Sequence, residues 1–322
     1  MNPLLLHLLL FALLNLLLVI AGYLIQRKRW VMSGWLLTVA SIAAAHFIFL
    51  NDTPLIRMGG ILYITFTAAK ALVTATSYQG KQNQLSFIQW SAFAIGWVGM
   101  RAEPFETLGS QPLPGARGMI GNGLIRVALG LILILLVHII APVNMYGTLK
   151  IIILSALSLI SLSLILHFGL LSISAGAWRL MGVNTYYLFR HPARSTSLTE
   201  FWGKRWNIAF IEMNAIVLFR PLQNQIGVGP ALILSFLFSG LLHEVAISLP
   251  VYAGFGLPTL YFLIQGLAVF VEKKIAQHED SFMLSKTLAR VWTYFWVIAP
   301  TPLLFHQAFI RHVVFPLIGL KL

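Results

Sequence analysis

The stretch that decides the fold is the first one, PLLLHLLLFALLNLLLVIAGYLI at residues 3–25. It contains no Asp, Glu, Lys or Arg, and a helix of about 20 such residues is long enough to cross the hydrocarbon core of a bilayer. No basic region precedes it, and no small-residue cleavage site ends it. We therefore expect a first membrane span, and not a removable signal peptide.

The composition extends this interpretation to the whole chain. Hydrophobic residues make up 58% of the sequence and charged residues 10%, and the mean hydropathy is +0.84. Globular domains carry about a quarter charged residues, so the bilayer must be the main solvent of this chain. The apolar stretches run to about 20 residues without alternation, which favours helices over barrel strands. The predicted fold is an all-α, polytopic transmembrane bundle that forms a single integral-membrane domain over residues 1–322.

The apolar stretches divide the chain into spans and polar connections. Eight spans are predicted, at residues 3–25, 31–50, 58–77, 121–141, 151–175, 229–250, 257–274 and 288–310. Residues 85–100 are apolar but short, and they are expected to form an interfacial or re-entrant helix. Two polar stretches, 78–118 and 178–229, interrupt the pattern.

The charge distribution predicts the orientation. The chain has 22 Lys and Arg against 9 Asp and Glu, a formal net charge of +13. In a membrane protein such an excess is typical of cytoplasmic loops, and no basic tail is present that would indicate a nucleic-acid partner. Placing Arg27-Lys28-Arg29 in the cytoplasm puts most basic residues on that side. Both polar stretches are then cytoplasmic and both termini lie on the opposite side. A bacterial inner membrane and the endoplasmic reticulum both remain open.

Several kinds of site are excluded or disfavoured by residue types. The sequence has no cysteine, which excludes disulfides, thiol nucleophiles and thiolate metal ligands. His306 and His312 are six residues apart and would not share a helix face, so no metal site is expected. No G-x-S-x-G nucleophile elbow is present.

His243 is the ionisable residue that stands out in the predicted spans. It lies in FSGLLHE at 238–244, about 20 Å into its span at the rise of an α-helix. Ionisable residues at such depth usually have a function, and a neutral imidazole could act as a general base. Glu244 follows it but points about 100° away around the helix. A histidine that merely bonds between helices remains the alternative, because three others also fall in spans: His46, His138 and His167.

A second polar motif precedes this helix. The segment SLTEFWGKRWN at 197–207 combines three aromatic rings with the adjacent cations Lys204 and Arg205 and with Asn207. This mixture fits a membrane–water interface, and it equally fits a phosphate-bearing cofactor at the cytoplasmic surface. Composition leaves both interpretations open.

Taken together, these motifs resemble a known family. SLTEFWGKRWN (197–207), LFRP (218–221) and FSGLLHE (238–244) are similar to the signature of the membrane-bound O-acyltransferases. The similarity is nearest to the wax-synthase-like branch, which includes plant long-chain-alcohol O-fatty-acyltransferases. Two positions depart mildly from the pattern of that branch: Lys204 stands for an arginine and Leu242 for a methionine. The signature region covers residues 197–274.

The resemblance implies a fold, a reaction and a set of site residues. The fold implied is a helical bundle with an intramembrane tunnel, in which a cytoplasmic acyl-CoA and a lipid acceptor meet at the histidine. His243 is then the general base, and Asn207 either donates its amide to the acyl carbonyl or orients the donor. The implied donor-binding residues are Trp202, Lys204, Arg205, Trp206 and Arg194. Acyl-CoA is a co-substrate, no bound cofactor is expected, and a long-chain alcohol would give a wax ester.

Two other functions remain as alternatives. An acyltransferase acting on diacylglycerol, a sterol or a polysaccharide would carry the same motifs. A secondary transporter would account for the intramembrane ionisable residues Lys70, Arg126, His138 and Glu244. Against transport, the sequence has no inverted repeat and no matched pair of broken helices.

Overall fold

A computed structural model describes residues 2–144, 146–275 and 285–321. Within those ranges the chain is helical and forms no β-strand. The main helices are α1 (Pro3–Lys28), α2 (Val31–Ile48), α3 (Pro54–Ser77), α4 (Phe87–Gly96), α5 (Ala116–Ile140), α6 (Gly147–Leu180), α7 (198–205), α8 (208–226), α9 (Val228–Val251), α10 (Leu257–Ile275), α11 (Lys286–Ile298), α12 (Thr301–Leu304) and α13 (307–317). The prediction of an all-helical fold is confirmed.

Six of these helices are long and apolar enough to cross a membrane: α1, α2, α3, α5, α6 and α9. They correspond to six of the eight predicted spans, and a polytopic membrane protein is therefore confirmed. The seventh predicted span, 257–274, forms the helix α10, whose last turn carries three charged residues, Glu272, Lys273 and Lys274. These charges are expected to hold that end of α10 at the membrane surface.

The eighth predicted span, 288–310, is wrong as a single helix. α11 ends at Ile298, and the chain turns at Pro300 before the one-turn helix α12. Pro300 and Pro302 lack the backbone N–H that an uninterrupted helix requires, so the apolar sequence is broken into short pieces. The hydropathy of the segment does not reveal this break in the helix.

The chain forms two compact units, each discontinuous in sequence. The first comprises the residues up to Ala102 together with Arg190–His306, and the second comprises Glu103–Phe189 and the segment that begins at Gln307. The motifs at 197–207, 218–221 and 238–244 all lie in the first unit. The predicted organisation as a single domain is not tested by this division and stays a prediction.

In the first unit, a buried lysine holds the short helix α4. Lys70 of α3 is 2% exposed, and its amine donates to the carbonyl oxygens of Phe93 (2.8 Å), Ala94 (3.0 Å) and Trp97. These carbonyls belong to the last turn and the C-cap of α4, where helix carbonyls have no intrahelical partner. Lys70, one of the intramembrane ionisable residues that a transporter would account for, therefore satisfies the carbonyl groups at the C-terminus of α4.

The second unit is built on close packing of α5 against α6. A Cβ atom at Gly130 would lie 2.8 Å from the Ser161 carbonyl oxygen, so only glycine permits this approach. The intramembrane histidines of this unit have local polar partners: Nε2 of His138 lies 2.9 Å from the Ile318 carbonyl, and Nδ1 of His167 lies 3.2 Å from the Ser163 hydroxyl. Such partners favour a structural role for both.

Helices α9 and α10 form the antiparallel pair on which the candidate site is built. Gly240 faces the Thr259 backbone, where an added Cβ would lie 2.7 Å from the Thr259 Cα, and Gly266 faces the Phe236 side chain, where an added Cβ would lie 2.9 Å from the Phe236 Cβ. Two glycines, one on each helix, thus allow close approach and fix the register. In this register His243 lies beside Phe262, with ring centroids 4.3 Å apart.

Candidate active site

The motif at 197–207 contains the N-terminus of α7, which is capped by two side chains. The Ser197 hydroxyl accepts from the Glu200 N–H at 2.9 Å. The Glu272 carboxylate, from α10, accepts from the backbone N–H groups of Leu198 and Thr199, both at 2.9 Å. Carboxylates are favoured at helix N-termini because they satisfy unpaired N–H groups. Glu272 therefore fixes α7 against the last turns of α10.

Arg205 supports the loop that leads into α7. Its guanidinium bonds one oxygen of Glu200 at 2.6 and 2.8 Å and donates to the Arg190 carbonyl at 3.1 Å. The pKa of the Glu200 carboxyl is lowered, first by the backbone N–H of Thr196 and then by Arg205. Arg205 thus has internal partners for most of its donors, and its role in donor binding stays a prediction.

Asn207 stands at a sharp turn between α7 and α8. Its φ of 50° lies in the left-handed region, which asparagine tolerates better than most residues. Its side-chain Oδ1 accepts from the Phe210 N–H at 3.2 Å and so caps α8. A carboxamide that accepts through its oxygen still has the two N–H donors of Nδ2 for another partner.

The bonding of His243 defines its tautomer. Its Nδ1 lies 2.7 Å from the Ser239 carbonyl oxygen, one turn earlier in α9. A carbonyl only accepts, so Nδ1 carries the hydrogen, and Nε2 has the lone pair in the neutral ring. The helix changes at this residue into a π-helical turn, Glu244–Ser248, a local widening that is frequent at functional sites. The geometry therefore presents Nε2 as a hydrogen-bond acceptor.

Glu244 lies on a different face, as the sequence predicts. Its Oε1 accepts from the backbone N–H groups of Gly256 and Thr259, both at 3.0 Å, and from the Thr259 hydroxyl at 2.8 Å. The carboxylate therefore caps the start of α10. It fixes the connection between α9 and α10 next to His243.

A cavity of about 250 Å³ within the first unit brings four predicted residues together: Trp202, Trp206, Asn207 and His243. Aromatic and aliphatic side chains form much of its wall, including Phe210, Phe219, Leu232, Phe236, Phe262 and Val269. Small ligands and acyl chains bind in such largely apolar cavities with a few convergent polar groups. His243 and Asn207 thus line one cavity together with these apolar side chains.

Two predicted donor-binding residues, Arg194 and Lys204, have exposed side chains, and neither is among the described residues that line the cavity. Arg205 is not among those residues either. The wall instead includes polar residues that the motif-based prediction missed: Thr199, Asn214, Ser235 and Lys273. Helical spacing was a usable signal, since Phe262, Val269 and Lys273 are seven and four residues apart and share one face of α10.

Comparisons with known proteins agree with the motifs. A profile described as "Membrane bound O-acyl transferase family" matches residues 186–264. The chain is 26% identical over 147 residues to a long-chain-alcohol O-fatty-acyltransferase of Simmondsia chinensis, which is 42% of this chain and 41% of that protein. It is 29% identical over 138 residues to a probable long-chain-alcohol O-fatty-acyltransferase 9 of Arabidopsis thaliana, which is 38% of this chain and 40% of that protein.

These alignments span about two fifths of the length of the curated relatives. The profile match includes Asn207 and His243 and ends before Val269 and Lys273. It therefore includes the cavity-lining residues of α7, α8 and α9 and, from α10, Phe262. The resemblance predicted from the three motifs is confirmed: residues 186–264 match the profile of the membrane bound O-acyl transferase family, and the chain is similar over part of its length to long-chain-alcohol O-fatty-acyltransferases.

Proposed function

We propose that the protein transfers a fatty acyl group from acyl-CoA to the hydroxyl of a long-chain alcohol, with His243 as the general base. The observation that carries this proposal is the Nδ1 bond to the Ser239 carbonyl, which leaves Nε2 as the acceptor in a cavity shared with Asn207. An alcohol is a weak nucleophile, and a positioned base typically contributes about 10²–10⁴-fold to such a reaction.

The reaction is a direct transfer without an acyl-enzyme. The alcohol oxygen attacks the thioester carbon while its proton passes to Nε2 of His243, which becomes an imidazolium. The tetrahedral intermediate then expels the CoA sulfur, and Nε2 returns the proton to it, giving an ester and free CoA thiol. The Nδ2 amide of Asn207 donates to the carbonyl oxygen as negative charge develops there. The Ser239 carbonyl stabilises the imidazolium through the hydrogen on Nδ1.

The acceptor is proposed from the lining of the cavity. The described part of its wall includes four Phe and two Trp side chains, and a buried hydroxyl without a partner costs roughly 1–3 kcal/mol in proteins. A sugar carries several such hydroxyls, whereas a long-chain alcohol carries one, at the reacting end. We expect broad chain-length tolerance, because one methylene is worth only about 1–3 kcal/mol in a hydrophobic pocket.

The sidedness follows from the basic residues. We propose that α7 and the C-terminal turn of α10 face the cytoplasm, where acyl-CoA would enter, in a bacterial inner membrane or the endoplasmic reticulum. Lys273 and Lys274 end α10 on the side where Glu272 holds the start of α7, which supports a common surface for these segments.

Purified protein in lipid nanodiscs tests the proposal. One acyl-CoA is offered with fatty alcohols of several lengths, diacylglycerol, a sterol and a soluble sugar in competition. We expect esters of the fatty alcohols. Ester formed only on diacylglycerol or the sterol would leave the proposed acyl transfer standing and show that the proposed acceptor is wrong. No ester on any hydroxyl would overturn the proposed activity itself.

A further inference from the structure

The cavity that contains His243 carries a single full positive charge among the described residues of its wall, and that charge is Lys273. Lys273 is half-buried, whereas the next residue, Lys274, is exposed. The adjacent carboxylate of Glu272 is engaged by the N–H groups of Leu198 and Thr199 and by the Thr199 hydroxyl at 3.0 Å. Lys273 therefore lines a cavity whose other described wall residues are apolar or neutral.

The register of α9 against α10 places Lys273 at one end of the cavity. Three contacts between α9 and α10 define this register: His243 with Phe262, Phe236 with Gly266, and Gly229 with Phe270, the residue of α9 named first in each pair. Successive turns of α10 therefore approach the start of α9. Eleven residues separate Phe262 from Lys273, which is about 16 Å along a helix. The backbone of Lys273 thus lies about 16 Å along the axis of α10 from Phe262, the residue beside His243.

That distance matches the reactive arm of the proposed donor. In acyl-CoA the thioester sulfur and the first phosphate are joined by thirteen covalent bonds through the pantetheine arm. At the ~1.2 Å per bond of an extended chain, the arm spans about 16 Å. A phosphate at Lys273 would therefore allow the thioester to reach the level of His243 without a large bend.

We propose that Lys273 binds the phosphate at the end of the donor's pantetheine arm and so sets the depth at which the thioester lies beside His243. This inference rests on the proposed acyl-CoA-dependent activity. Lysine binds phosphate as a point charge, and its flexible stem allows the ammonium group to follow the ligand. Lys273 acts here as a positioning and binding residue, since it does not touch the reacting atoms.

The test compares Lys273→Gln with Lys274→Gln, which removes the same charge one residue further along the chain. Each variant is assayed with a long-chain alcohol and two donors that carry the same acyl group: acyl-CoA and an S-acyl-N-acetylcysteamine, which lacks phosphate. Loss of a charged hydrogen bond should raise the acyl-CoA KM of Lys273→Gln at least about fivefold. Lys274→Gln should match the wild type, and Lys273→Arg should restore most of the affinity.

The truncated donor supplies the internal control. Its KM and kcat should be the same in the wild type and in Lys273→Gln, which also shows that the variant is folded. Equal acyl-CoA KM values for the two glutamine variants would overturn the inference and leave the proposed function intact. A rise in KM for both donors would also overturn it, because Lys273 would then support the cavity or hold a lipid headgroup. No ester from acyl-CoA with wild-type protein would overturn the proposed function as well.

Discussion

The imidazole Nδ1 of His243 and the carbonyl oxygen of Ser239 lie 2.7 Å apart, within one turn of α9. The bond fixes the ring without any side-chain partner, because a backbone carbonyl is always present at that position. A histidine whose fourth preceding residue offers its carbonyl in this way keeps Nε2 available to a ligand. This bond is expected to give His243 a function that the intramembrane histidine His46 does not have.

The helix cap that Asn207 forms and its proposed role as an amide donor are separable, and Asn207→Asp distinguishes them. An aspartate oxygen can still accept from the Phe210 N–H and tolerates the left-handed backbone, so the variant should retain its stability. It lacks the amide N–H groups, so acyl transfer should fall at least about a hundredfold. Asn207→Ala should lose activity and also about 1 kcal/mol of stability. Activity of Asn207→Asp close to the wild type would show that Asn207 is only a helix cap.

Part of the fold and of the candidate site could be predicted from the sequence. Hydropathy located α1, α2, α3, α5, α6 and α9 because each is one long apolar run. The motifs predicted Asn207 and His243, which line one cavity in the structure, because both residues belong to short local sequence patterns. Asn214 was missed because a polar residue within an apolar helix has no local signature, and Lys273 because its spacing from Phe262 and Val269 points to a site only once this face of α10 is known to line the cavity. Their place in the cavity depends on the packing of α8, α9 and α10, which is set by long-range contacts such as Gly240 against Thr259.

Lys70 should be essential for stability and not for the chemistry. Replacement by Met would leave three carbonyls at the end of α4 without their donor, at a cost of at least about 2 kcal/mol. Thermal unfolding in detergent should show the loss, and Lys28→Met, at an exposed position, should show none. Unchanged stability of Lys70→Met would contradict the capping role and reopen a functional one.

The Glu200–Arg205 pair should give the loop before α7 an acid-sensitive stability. The pKa of Glu200 is lowered by the Thr196 N–H and by Arg205, so its contribution is present above the unfolded pKa. It is lost as the pH falls through the lower folded pKa. In Glu200→Gln the free energy of unfolding should fall modestly at neutral pH, by about 1 kcal/mol or less, and the melting temperature should lose part of its acid dependence. An identical pH profile in wild type and variant would refute this assignment.

The absence of cysteine makes the topology simple to measure. Asn144 and Thr196 are both exposed and are separated by the membrane-crossing helix α6. Cysteines placed singly at these positions should react with a membrane-impermeant reagent from opposite faces, Thr196→Cys from the cytoplasmic side. Labelling of both from one face would mean that α6 does not cross, and the proposed entry side of the donor would lose its basis.

The central claim is that Nε2 of His243 removes the proton of the acceptor alcohol. The most direct measurement is the rate of ester formation from acyl-CoA and a fatty alcohol by His243→Ala, with His46→Ala as the matched intramembrane control. We expect a loss of at least about a hundredfold in kcat for His243→Ala at unchanged thermal stability, and nearly full activity for His46→Ala. A His243→Ala protein that forms ester at close to the wild-type rate would contradict it.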